Sequence, residues 1–314
     1  MRQGAKLPLL FTFLIIGILS VTLTVSTFSA QGKEDPKGKT HGIYSPIRLA
    51  FTPEGNLLVS DYRANMILTV DSRTNKVIRW FAVKGRPLAV AYARGRVYVG
   101  NETKGCIEVY NRAGRSNFKL GGTMGPVQHP TDMAIDPRQG RIFVVDGLEK
   151  SVKVFSFKGQ LINTFPDSAP NPDVLTHPTG ITLDREKKEV LVSDYGDSRE
   201  GIFARVQIFN YSGELVGTLS GKGSGWFSKP KFSRPQGLAV DGDGHIFLVD
   251  CYSCEVLVFD IASGSLMETL GGFGSEPGKM LLPLDIVMDD ASRDIFVTNN
   301  RSARIEIFRQ GGQL

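Results

Sequence analysis

The chain has 314 residues, 41% of them hydrophobic and 22% charged, a globular balance that excludes wholesale disorder and a multi-span membrane protein. Its net charge of +5 falls to +3 once Arg2 and Lys6 are set aside with the N-terminal segment, too small an excess to argue for a nucleic-acid partner. Three cysteines are too few for a disulfide scaffold, and 35 glycines signal many turns.

Arg2 and Lys6 precede a run without charge, residues 7–28, and about 20 apolar residues suffice to cross a bilayer as a helix. Residues 1–30 therefore read as a secretory signal or a retained signal anchor. Cleavage after Ala30 would leave bulky Phe28 where a small residue is preferred, so both outcomes stay open. Either one places the remainder outside the cytoplasm, on the periplasmic or cell-surface side, and an uncleaved segment would tie it to the membrane. Residues 31–45, rich in lysine and acidic side chains, predict a polar tether.

From Pro46 the chain repeats itself. Six units start at prolines 46, 87, 130, 178, 235 and 283. Each continues with an alternating apolar run, turns, and runs apolar again, as in Pro130-Thr-Asp-Met-Ala-Ile-Asp136 followed by Ile142-Phe-Val-Val-Asp146. A third run recurs as Ile107-Glu-Val-Tyr110, Val152-Lys-Val-Phe155 or Val256-Leu-Val-Phe259, and a fourth closes most units. Short β-branched and aromatic runs bounded by Gly, Asp and Asn are strand signals. Four strands per unit of 41 to 57 residues is the period of a propeller blade, so the expected fold is all-β, a six-bladed β-propeller over 46–314. Proline suits the first position of an inner strand, where no ladder N–H is required.

These units resemble NHL repeats: Pro235-Gln-Gly-Leu-Ala-Val-Asp241 with Ile246-Phe-Leu-Val-Asp250 follows that family's pattern closely, as does Pro178-Thr-Gly-Ile-Thr-Leu-Asp184. The resemblance covers residues 46–308 and implies the fold. It leaves function open, because the family includes enzymes, RNA binders, receptors and scaffolds. Amidating-lyase relatives carry zinc histidines just after the blade proline. Here those positions are Ile47, Leu88, Thr131, Thr179, Gln236 and Leu284, so that activity is not expected.

Strand alternation puts the loops before each proline and the aspartates ending the second runs, Asp61, Asp146, Asp194 and Asp250, on one rim around the channel mouth. Their recurrence points to Asx-turns and local structure. No nucleophile or phosphate-loop signature occurs, and no catalytic residue is singled out. Asp132 and Asp285, on the channel side, with His129 and His177 on the rim, form a metal-site alternative, although a catalytic zinc generally wants three protein ligands. Cys251 and Cys254 are candidates for a disulfide across a tight turn or for two free thiols.

The fourth unit departs from the repeat by two insertions, 196–205 and 221–234. The second places Trp226, Phe227 and Phe232 beside Lys229, Lys231 and Arg234, aromatic and basic residues suited to partner binding on the rim. The expected function is a binding scaffold without a cofactor, its partner an extracytoplasmic protein or polymer. The alternative is a metal-dependent lyase or lactonase-like hydrolase. The sixth unit stops before its fourth strand, so either residues 40–44 pair against Ile305 to Phe308 and close it or that blade has only three strands.

Overall fold

The computed structural model describes residues 23–28, 42–120, 127–166, 175–223 and 231–310. Six antiparallel four-stranded sheets form the ring. A lone N-terminal strand, β1 (Leu23–Phe28), belongs to the last of them. The first blade holds β2 (Pro46–Phe51), β3 (Asn56–Asp61), β4 (Met66–Asp71) and β5 (Lys76–Ala82). The second holds β6 (Pro87–Ala93), β7 (Arg96–Asn101), β8 (Cys106–Asn111) and β9 (Ser116–Leu120), and the third β10 (Pro130–Asp136), β11 (Arg141–Asp146), β12 (Ser151–Ser156) and β13 (Leu161–Phe165). The fourth holds β14 (Pro178–Asp184), β15 (Glu189–Asp194), β16 (Arg205–Asn210) and β17 (Leu215–Ser220). The fifth comprises β18 (Pro235–Val240), β19 (His245–Asp250), β20 (Glu255–Asp260) and β21 (Leu266–Gly271). The sixth comprises β22 (Pro283–Met288), β23 (Ile295–Asn299) and β24 (Arg304–Gln310) together with β1.

The middle strands are mostly apolar because neighbouring blades cover both of their faces, and β11, β15 and β19 are buried from their second residue onward. The outermost strands alternate or are mostly exposed, as in β13 and β21. Apolar clusters lie between adjacent blades: Phe143, Val145, Val190 and Phe209 join the third to the fourth, and Leu57, Val59, Phe296 and Ile307 join the first to the sixth. A blade alone would leave these faces in water, so the ring forms as a unit.

Closure departs from expectation. Strand β1 pairs antiparallel with β24, Leu23 opposite Gln310 through Phe28 opposite Ile305. Of the expected closing segment 40–44, the described residues 42–44 form no strand, and the rest lies outside the described residues. Instead Ile43 is buried between the first and sixth blades, and the backbone N–H groups of Tyr44 and Ser45 donate to the Asp61 carboxylate. The ring therefore takes in part of the segment expected to lie outside it. Residues 23–28 are the end of the apolar run, and their β-branched Leu-Thr-Val-Ser-Thr-Phe sequence suits a strand. The remainder of the expected signal or anchor, 1–22, and most of the tether lie outside the described residues. Among the described residues no helix is long and apolar enough to cross a membrane.

Candidate functional site

The rim is held by one recurring device. Asp146 accepts hydrogen bonds from the backbone N–H groups of Gln128 and His129 in the loop before the proline, and of Leu148 in its own turn. Asp194 does the same for Thr176, His177 and Gly196, and Asp250 for Ser233, Arg234 and Tyr252. The aspartates are thus structural, as their recurrence predicts: each fixes the height and direction of one rim loop.

Each inner strand is bulged just after its proline, where pairing with the second strand shifts register. A bulge re-aims its residue. Here it turns Ile47, Leu88, Thr131, Thr179, Gln236 and Leu284 into a mouth cavity of about 240 Å³. Arg48 forms its floor. The guanidinium donates to the carbonyls of Thr131 (3.2 Å), Leu284 (2.7 Å) and Thr179 (2.5 Å), and it lies 3.5 Å from both Asp132 and Asp285. Burial pushes the Asp285 carboxyl up to about 7 against the pull of Arg48, and burial raises Asp132 as well. The two carboxylates that were a metal alternative are therefore already joined by a side-chain cation.

Above that floor, Glu102 accepts a hydrogen bond from the Tyr62 hydroxyl (2.6 Å) and lies 3.2 Å from His129 Nε2, with Arg86 at 3.8 Å. Burial would raise the Glu102 pKa, but the bonds from Tyr62 and His129 outweigh it and hold the carboxyl below its ordinary value. His177 sits elsewhere, stacked on Tyr195 with ring centroids 4.5 Å apart and its Nδ1 2.8 Å from the Gly196 carbonyl. The two histidines thus have separate partners. Among the described residues no group of three or more His, Cys, Asp or Glu is placed to hold a metal ion.

A wider cleft opens on the same rim between the fourth and fifth blades, about 1140 Å³. The first insertion builds one wall. An isolated bridge between Asp197 and Ile202 closes it into a loop, and Gly196 (φ +69°) turns where a Cβ would come within 2.4 Å of the Ile202 carbonyl oxygen. That loop holds Phe203 half exposed (50%), while Tyr252 stands 78% exposed on the far wall. Arg234 lies 4.7 Å over the Tyr195 ring and Lys222 5.3 Å over Phe203, and Arg199 lines the same space.

Of the residues expected to bind on the rim, Arg234 lines this cleft and is exposed. Phe232 borders it but is 2% exposed and packs edge-on against Phe259, so it is a core residue between blades rather than a recognition residue. Lys231 turns its ammonium to the Gly264 carbonyl, away from the cleft. Trp226, Phe227 and Lys229 lie outside the described residues. Cys251 and Cys254 are free thiols, with Cys254 Sγ 3.6 Å from the Cys251 carbonyl oxygen. Burial raises both thiol pKa values, Cys251 to about 11, which makes them weak nucleophiles. Sequence reasoning passed over Tyr195 and Tyr252, although each follows a second-strand aspartate within two residues and so had to emerge on the rim.

Ring, rim and repeat together define a six-bladed β-propeller. The NHL repeat family model matches residues 232–259, the lead-in and first three strands of the fifth blade. The chain is 25% identical over 150 residues to the human E3 ubiquitin-protein ligase NHLRC1, covering 47% of this chain and 34% of that protein. It spans no more than about a third of the length of the curated relatives it matches. The chain is thus a six-bladed β-propeller that carries an NHL repeat and is similar to NHL-repeat proteins. Its fold is shared with a Xanthomonas campestris gluconolactonase (TM-score 0.65, 17% identity, 92% of this chain and 89% of that one). It is shared also with a streptogramin B lyase (TM-score 0.62, 11% identity, 92% and 98%). At such identities the likeness concerns the fold alone.

Proposed function

We propose that this propeller is a binding scaffold that holds a macromolecular partner on its channel-mouth rim, with the cleft between the fourth and fifth blades as the contact. The carrying observation is the insertion 196–205: it breaks the repeat, and what it adds is a wall that brings exposed Phe203 into a cleft also lined by exposed Tyr252. At about 1140 Å³ the cleft exceeds the ordinary small-molecule range of roughly 300–1,000 Å³, which suits a piece of polymer chain. The apolar run before β1 supports placing the propeller outside the cytoplasm, with β1 retained in the ring after any processing.

The test is a photo-crosslinking amino acid at position 252, with the same group at His245 in the opposite rim's turn as control. A discrete adduct from position 252 alone, lost on Phe203→Ala, is the expected result. Equal labelling from both positions would defeat the proposal. An enzymatic alternative is favoured by the Tyr62–Glu102–His129 group at the channel mouth. It requires turnover of a lyase or lactone substrate that Glu102→Gln abolishes.

A further inference from the structure

We infer that the segment held in this cleft is acidic: the site takes a carboxylate-rich stretch of a partner polypeptide. This rests on the reading of the cleft as the contact surface. Three cations line it, Arg199, Lys222 and Arg234, against a single carboxylate, Asp197. None of the three is paired with a carboxylate among the described residues. Elsewhere on the rim the sheltered cations are neutralised: Lys153 by Asp146 at 3.0 Å, Arg205 by Asp194 at 3.2 Å, Lys104 by Glu108 at 2.7 Å and Arg304 by Glu306. The cleft thus keeps an excess of positive charge that the fold balances at neighbouring positions. A cleft lined by one sign of charge attracts the opposite sign.

The rings argue against a neutral sugar. A carbohydrate platform needs open aromatic faces, but Tyr195 carries both His177 and Arg234, and Phe203 carries Lys222. Those contacts seat Arg234 and Lys222 on rings, so two of the three charges are held in place rather than offered from free side chains. Tyr252, the most exposed of the rings, is left for the apolar part of the ligand. The Gly201 and Gly223 backbone allows close approach of an extended chain along the wall.

The probe is a fluorescein-labelled octaglutamate peptide, read by anisotropy against the full chain at low and moderate salt, with octalysine and a polyuronate as comparators. Octaglutamate should bind, more weakly as salt rises, and Arg199→Gln/Lys222→Gln/Arg234→Gln should weaken it about tenfold or more. Arg63→Gln, a rim cation outside the cleft, should leave it unchanged. Thermal melting of each variant separates lost binding from lost fold. Equal binding of octalysine, an unaffected triple variant, or binding confined to the polyuronate would overturn the inference. If octaglutamate fails while crosslinking at position 252 still captures a partner, the acidic class is wrong and the contact surface stands. If both fail, the surface itself is wrong.

Discussion

The second-strand position that reads Asp in four blades is Asn101 in the second and Asn299 in the sixth. The change is compensated one strand out. Asn101 Nδ2 donates to Glu108 at 2.8 Å and Asn299 Nδ2 to Glu306 at 3.0 Å, whereas Asp146 faces Lys153 in the equivalent place. Acid and partner have traded strands, keeping one carboxylate per site. Asn101→Asp should therefore bring two buried carboxylates together and cost more than about 2 kcal/mol in chemical denaturation. Adding Glu108→Lys should recover part of it, and additive losses would refute the exchange. Arg48 is under a similar constraint. Replacing it by Leu strands Asp132 and Asp285 and should cost about 3–5 kcal/mol. The pH sign follows from the raised Asp285 pKa. A carboxyl whose folded pKa lies near 7, above its ordinary 3.8, stabilises below about pH 4 and loses that contribution as pH rises through about 7. Without the cation the folded pKa rises further and the loss continues to higher pH, so the melting temperature of Arg48→Leu should fall further below wild type at pH 8 than at pH 5.

At the scale of the element, strand position and strand type were legible, because proline, alternating apolar runs and turn residues mark every blade. The bulges were not. Nothing in Pro178-Thr-Gly announces that the register slips between Pro178 and Gly180, since the slip arises from packing six inner strands around one axis. That crowding is why Gly180 is glycine: a Cβ there would come within 2.4 Å of the Gln236 carbonyl oxygen on the next inner strand. Gly180→Ala should destabilise by about 1–3 kcal/mol as overpacking, and an unchanged melting temperature would show that the inner strands can spread. The cleft was half legible. Both insertions stood out from the repeat, but aromatic content favoured the second, whereas exposure is decided by packing. Phe232 is drawn between blades and Phe203 is left outside, and periodicity does not distinguish them.

For the whole molecule, the six-bladed ring was readable from the repeat count, and its closure was misread. The apolar run 7–28 looks like one membrane-type segment, yet its last six residues find a vacant sheet edge on β24, a pairing only the assembled ring offers. Removing residues 1–22 should leave melting unchanged, whereas removing 1–30 should lower it by exposing that edge. Equal effects would mean that β1 does not close the ring. Hydrogen–deuterium exchange on the propeller with its crosslink-identified partner decides whether the rim between the fourth and fifth blades is the contact surface. Protection is expected at residues 195–204, 222–223, 233–234 and 252. Protection confined to the opposite-rim turns at 53–56 and 241–245, or to Ile47, Leu88 and Gln236 at the channel mouth, would contradict it.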